Sequence, residues 1–241
     1  DAAENLASCL SAIRSAADAG AALVVLPEAS MVAFGRPLAE VAEPIDGPFA
    51  SAIVAAASES GITVVAGMFE PAAGGRVHNT ALVAGSDGVH TYRKVHLFDA
   101  FGHTESKAIA AGEGYTIVDA AGVRLGVATC FDLRFADQFT WLGRHGAQIV
   151  AVGASWANGP GKPDQWDMLV RARAHDAQAW LVAAGQAWEP PGTKGPLGVG
   201  RSAVVDPSGA IRAQLGAGPG LLVHDVDLGL VDAVRADVPI L

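Results

Sequence analysis

Between Ala3 and Ala19 the apolar positions Leu6, Leu10, Ile13 and Ala17 recur at spacings of four, three and four, which sets them on one face of a helix. Gly20 ends that helix, and Ala22–Leu26 follows as an unbroken apolar run closed by Pro27, the pattern of a strand buried on both faces. The order repeats with a helix through Phe49–Ser60, closed by Gly61, and a strand Ile62–Met68. Asn79–Ala84 and Val89–Arg93 alternate on either side of Gly85-Ser86-Asp87-Gly88 and predict an antiparallel hairpin. Residues from Phe98 to Gly114 show no period and read as a long loop, of the kind that often serves as a lid. Beyond it the pattern predicts strands at Val123–Thr129, Ala147–Val152 and Trp180–Ala184, and helices at Phe135–Arg144 and Asp164–Ala179. In the tail, Arg201–Val205 and Ile211–Leu215 flank the turn Asp206-Pro207-Ser208-Gly209, and Leu221–Val226 is expected as one more strand. Strands alternating with helices make this an α/β chain, and the hairpins require mixed sheets. The Gly- and Pro-rich patches 159–163 and 189–200 divide no two composition regimes, so residues 1–241 are expected to form one domain.

Half of the 241 residues are apolar (51%) and only 17% are charged, which excludes disorder and calls for a large buried core, part of it available to a subunit interface. No apolar run reaches the roughly 18 residues of a membrane span. Sixteen basic against twenty-five acidic residues leave a net charge of −9, which opposes nucleic acid or an anionic membrane as partner. A small-molecule substrate fits better. Cys9 and Cys130 share neither a disulfide framework nor a CxxC metal motif, so a reducing, cytoplasmic setting is expected. No secretory signal is read in this sequence, and because it opens inside a helix a first strand is expected before Asp1.

Cys9 lies beside the stripe of the first helix and reads as packing. Cys130 ends an apolar strand and precedes a helical pattern, which would turn the thiol toward a helix N-terminus and favour thiolate. Taken singly, Cys130 is either inert packing or a nucleophile, Glu28 a turn carboxylate or a base, and Lys94 a surface lysine or a functional ammonium. Together they are more informative, because each falls at a strand end, where open α/β sheets gather catalytic groups. A carboxylate can take a thiol proton, an ammonium can hold an oxyanion, and a thiolate can form an acyl intermediate.

The segments Leu26-Pro27-Glu28, Tyr92-Arg93-Lys94-Val95-His96-Leu97 and Cys130-Phe131-Asp132-Leu133-Arg134-Phe135 resemble, in order and spacing, the three signature blocks of the nitrilase superfamily of carbon-nitrogen hydrolases. Trp166–Ala174 and Gly200–Gly209 are similar to its later helix and hairpin, so the resemblance covers almost the whole chain. It implies a four-layer α-β-β-α sandwich that pairs through a helical face as a homodimer or larger homo-oligomer. It also implies Glu28 as general base, Lys94 and the Phe131 N–H as oxyanion donors, Cys130 as nucleophile, and Glu105 as a fourth member positioning Lys94 or water. The reaction implied is hydrolysis of a small primary amide to acid and ammonia through a cysteine thioester, with no metal or organic cofactor. The block around Cys130 is similar to the omega-amidase and deaminated glutathione amidase branches; nitriles and N-carbamoyl amino acids stay open as substrates, as does a non-catalytic scaffold of the same fold. Arg134 is a candidate clamp for a substrate carboxylate or a structural partner of Asp132 or Asp137, and Trp156 either walls the acyl pocket or packs.

The chain departs from the family pattern at His175-Asp176, where an apolar residue and Glu are usual, and at Arg201, where His is frequent. Rival motifs fare worse. An isochorismatase-like hydrolase would need an early aspartate, and Asp18 lies inside the first helix. Gly153-Ala154-Ser155-Trp156-Ala157 lacks the last glycine of a serine-hydrolase elbow, the seven histidines form no HExxH pair, and Gly161-Lys162 lacks the rest of a phosphate loop.

Overall fold

The computed structural model describes residues 2–188 and 198–241, so most of the 189–200 patch lies outside the described residues. In chain order the main elements are α1 (Ala2–Asp18), β1 (Leu23–Val25), α2 (Pro48–Ser60), β2 (Thr63–Pro71), β3 (Val77–Gly85), β4 (Gly88–Arg93), β5 (Thr116–Ala120) and β6 (Val123–Thr129). They continue with α3 (Ala136–Arg144), β7 (Ile149–Ala154), α4 (Lys162–Ala177), β8 (Trp180–Gly185), β9 (Ala203–Val205), β10 (Ile211–Gln214) and α5 (Gly229–Asp237).

One sheet has four strands in the order β1-β2-β3-β4, and the other has six in the order β10-β9-β8-β7-β6-β5. Both are mixed. β1 runs parallel to β2 and β6 to β7 to β8, while the remaining pairs are antiparallel. The layers follow from the two-residue period of a strand. On β2, Val64, Ala66 and Met68 face Ile13 of α1 and Ile53 of α2, whereas Val65 turns to the other side and joins Val83, Leu125, Val127 and Ala151 between the sheets. On the far side, Phe139 and Leu142 of α3 and Trp166 and Val170 of α4 cover Val150, Val152 and Leu181. The result is the expected four-layer α-β-β-α sandwich.

Three differences from the pattern have physical causes. Leu221–Val226 pairs with no strand among the described residues: the segment leaves Leu221 and Val223 exposed and packs Leu222 and Val226 into the inter-sheet core. Its alternation reflects a half-buried surface rather than a ladder. β5 and α5 were not anticipated, since β5 is a five-residue edge strand and α5 buries only Val231. The residues after Cys130 form a 3-10 turn, Cys130–Arg134, before α3 begins. No helix among the described residues is long and apolar enough to cross a membrane.

Candidate active site

Glu28, Lys94, Glu105 and Cys130 converge between the sheets. Glu28 follows β1 in a segment squeezed between two strands, and a Cβ on Gly67 would stand 2.5 Å from the Ala29 nitrogen while one on Gly153 would stand 2.9 Å from the Leu26 oxygen. Only glycine at both positions lets the backbone carrying Glu28 pass. Lys94 leaves the end of β4 with its N–H bonded to the Asn79 carbonyl at 2.9 Å. Cys130 is held at φ +47°, a left-handed conformation costly for a side chain with a Cβ, so that its thiol stands off the end of β6.

The Lys94 Nζ donates to Glu28 Oε1 at 3.0 Å and to Glu105 Oε2 at 3.0 Å, and both Glu28 and Lys94 are only 2% exposed. Asn79 Nδ2 also donates to Glu28 Oε1, at 2.7 Å, while the Ser155 N–H donates to Oε2 at 2.8 Å. The Cys130 thiol lies within hydrogen-bonding reach of the Glu28 carboxylate. Burial alone would raise the Glu28 carboxyl, but Lys94, the thiol and the Ser155 N–H outweigh it and hold the group below the ordinary carboxylate value. Burial likewise works against the Lys94 cation, and the negative charge around it more than compensates, raising its pKa. For Cys130, burial and then the Glu28 charge push the thiol well above its ordinary value, with Lys94 offsetting only part. The expectation of a resting thiolate is therefore corrected. The five-residue turn supplies too little dipole to counter burial beside a carboxylate, and the stable arrangement is carboxylate, ammonium and neutral thiol.

A family profile described as carbon-nitrogen hydrolase matches residues 1–236. The chain belongs to the carbon-nitrogen hydrolase family. Hydrolase Rv0480c of Mycobacterium tuberculosis is 47% identical over 239 residues, covering 94% of this chain and 85% of its own. The deaminated glutathione amidase of Escherichia coli O157:H7 is 32% identical over 244 residues, covering 99% and 90%. Among solved structures, a variant of the amidase from Nesterenkonia sp. AN1 with acrylamide added at its active-site cysteine is similar with a TM-score of 0.80 and 27% identity, covering 99% of this chain and 93% of that one. The expected relationship to the nitrilase superfamily and its amidases is thus borne out, and the chain is an enzyme of that kind.

In this carbon-nitrogen hydrolase Phe131 and Arg134 share the turn that opens with Cys130, and Trp156 follows β7. The Phe131 ring sits edge-on to Phe98 and Phe135, and its N–H belongs to the first turn after β6, where amides have no partner within the turn. Arg134 makes neither of the ion pairs considered from sequence. Its Nη2 donates to Gln165 Oε1 at 2.9 Å, its guanidinium lies 4.8 Å from the Trp156 ring centre, and its buried Nε has no acceptor among the described residues. Asp137 instead accepts from the Tyr115 hydroxyl. Trp156 is 4% exposed and packs edge-on to Trp166, and its indole N–H has no partner among the described residues. Cys9 is buried near the Ser30 carbonyl with its thiol pushed up to about 11 by burial, consistent with packing.

Two positioning residues escaped the sequence reading. Asn79 fixes Glu28, as above. Asp132 is fully buried and clasps the Lys94 segment to the Cys130 turn: it accepts from the Tyr92 hydroxyl at 2.8 Å, the Thr129 N–H at 2.8 Å and the His96 N–H at 3.2 Å. Neither role leaves a periodic mark, although Asp132 inside the block around Cys130 was a signal. Among the described residues no group of three or more His, Cys, Asp or Glu could hold a metal ion.

Proposed function

We propose that this enzyme hydrolyses small primary amides to the acid and ammonia through a thioester on Cys130. The observation that carries the reading is one buried carboxylate, Glu28, bonded to Lys94 and within reach of the Cys130 thiol. In the first half Glu28 takes the thiol proton as the sulfur attacks the amide carbon, and the oxyanion forms against Lys94 Nζ and the Phe131 N–H. The C–N bond then breaks, Glu28 passes its proton to the departing ammonia, and an acyl thioester remains. In the second half Glu28 takes a proton from water, whose oxygen attacks the thioester; collapse releases the acid and returns the proton to sulfur. Glu105, bonded to Lys94, keeps the ammonium aimed and charged.

Arg134, with no carboxylate partner among the described residues, is assigned to an acidic substrate group. The omega-amidase of mouse and the deaminated glutathione amidase of E. coli, at 31% and 32% identity, support an amide rather than a nitrile as substrate. A cytoplasmic homodimer or larger homo-oligomer built on the outer helices completes the proposal. The test is ammonia release from a panel of primary amides, nitriles and N-carbamoyl amino acids, with Cys130→Ala as control. Release from at least one amide, abolished in Cys130→Ala, is expected; release that survives in that variant overturns the mechanism.

A further inference from the structure

The two oxyanion donors, the Lys94 Nζ and the Phe131 N–H, come from separate segments, one at the end of β4 and one in the turn after β6. One buried carboxylate joins these segments. The Oδ2 of Asp132 accepts from the Tyr92 hydroxyl at 2.8 Å and the Thr129 N–H at 2.8 Å, and its Oδ1 from the His96 ring Nδ1 at 2.9 Å and the His96 backbone N–H at 3.2 Å. These partners bracket the reactive residues: Tyr92 and His96 flank Lys94, and Thr129 and Asp132 enclose Cys130 and Phe131. The Tyr92 hydroxyl also accepts from the Val95 N–H at 3.2 Å and from Gln138 Nε2 at 3.1 Å, which ties α3 to the same point. Burial first and then the Asp132 charge hold that hydroxyl protonated and so keep it a donor to Asp132. The His96 ring stacks on Phe135 at 3.7 Å and 7°. Phe135 in turn closes the nucleophile's turn, its N–H donating to the Asp132 carbonyl at 2.9 Å, and meets the Phe131 ring edge-on.

A buried carboxylate with donors on both oxygens is stable only while those donors are in place, and here they come from both segments. Cys130 lies between two of the anchors at φ +47°, a conformation that persists only when its surroundings hold it. An oxyanion donor contributes about 10²–10³ in rate when it meets the developing charge at hydrogen-bond distance, and a misplacement of about 1 Å can cost about 10²-fold. We propose that Tyr92 and His96 are positioning residues for the oxyanion hole: bonded through Asp132, they fix the separation of the Lys94 ammonium and the Phe131 N–H without touching the substrate. This deepens the hydrolase reading given above and rests on its assignment of those two donors.

The test uses two reagents on one sulfur. With butyraldehyde the Cys130 sulfur adds to the carbonyl carbon: the S–C bond forms, the C=O π bond opens, and the thiol proton ends on the former carbonyl oxygen, which lies against both donors. Iodoacetamide is attacked at its CH2 carbon with loss of iodide, and its carbonyl is unchanged. Tyr92→Phe removes one donor to Asp132, and His96→Phe keeps a ring to stack on Phe135 but removes the Nδ1 donor. In both, the butyraldehyde dissociation constant, read from protection of Cys130 against iodoacetamide, rises at least tenfold, while the alkylation rate without aldehyde stays within threefold of wild type. His96→Asn, which keeps a donor near the Nδ1 position, recovers most of the affinity. For an amide that the wild type hydrolyses, the two Phe variants lose kcat rather than raise KM. Aldehyde affinity within twofold of wild type in both Phe variants overturns the joint. So does a parallel loss of aldehyde affinity and alkylation rate, which marks a loosened fold, or a His96→Asn variant no better than His96→Phe, or a wild type that binds no aldehyde. Absence of amide hydrolysis in the wild type sinks the hydrolase reading alone, because the aldehyde comparison needs no turnover and still decides the joint.

Discussion

Replacing Glu28 by glutamine separates two properties that usually travel together, the ionisation of a nucleophilic thiol and its usefulness. In the native site Glu28 Oε1 accepts from Lys94 and Asn79 while Oε2 accepts from the Ser155 N–H, so donors arrive at both oxygens. Glutamine offers one oxygen. Whichever way its amide turns, the NH2 meets a donor, and one buried group left unpaired costs about 1–3 kcal/mol of stability. The thiol responds in the opposite sense. The Glu28 charge, after burial, is what pushes the Cys130 thiol up, and removing that charge while the Lys94 cation stays lowers the thiol's titration midpoint. Hydrolysis nevertheless falls by roughly 10²–10⁴, because the proton acceptor of both halves is gone. The assay pairs the pH dependence of Cys130 alkylation by iodoacetamide with ammonia release from an amide that the wild type hydrolyses. A titration midpoint that stays or rises, or hydrolysis within tenfold of wild type, refutes the reasoning.

Three further outcomes follow from the same geometry. Asn79→Ala removes a hydrogen bond to the Glu28 carboxylate, and kcat is expected to fall by roughly tenfold at about 1.4 kcal/mol per decade with KM little changed, since Asn79 touches the base and not the substrate; a change confined to KM would contradict this. Because Cys130 sits at φ +47°, Cys130→Gly is expected to be the more stable of two inactive variants, by about 1 kcal/mol over Cys130→Ala in urea unfolding, and the reverse order would remove the claim of backbone strain. Stability should also have a defined pH window. Glu28, held below its ordinary value, contributes above about pH 4.3 and loses its contribution as pH falls through its lower native value. Lys94, held above its ordinary value of about 10.4, contributes below that pH and loses its contribution as pH rises through its native value. The Cys130 thiol, also raised, makes stability decline above about pH 8.5, where the unfolded chain ionises first. Urea midpoints against pH should therefore show an alkaline decline that is shallower in Cys130→Ala, where Cys9 is the one raised thiol left to drive it above about pH 8.5, and identical alkaline limbs would refute the buried neutral thiol.

Much of this architecture is legible locally because its central strands are covered on both faces. β2, β7 and β8 appear as continuous apolar runs, α1 and α2 as stripes ending at glycine, and the β3–β4 hairpin as alternation around a turn. The elements missed or misread lie where burial is partial: β5 at a sheet edge, α5 with a single buried side chain, and Leu221–Val226, half-buried without a ladder. Residue types at strand ends likewise brought Glu28, Lys94 and Cys130 forward as candidates. Asn79 in mid-strand and Asp132 in the turn carry no such mark, because their importance lies in partners 51 and 40 positions away.

Periodicity by itself determined the α/β class, the mixed sheets and the strand ends from which the reactive side chains emerge, since burial on one face or two writes directly into the spacing of apolar residues, whereas the four-layer order was only implied by the resemblance of the three motif blocks. The charge state of those side chains was decided only by the tertiary structure. Whether Cys130 rests as thiol or thiolate, and whether Arg134 meets an aspartate or stands unpaired beside Lys162, depends on the desolvation and proximity of groups far apart in sequence. Electrostatic free energy varies with distance and dielectric in space, and neither is encoded in the local order of residues.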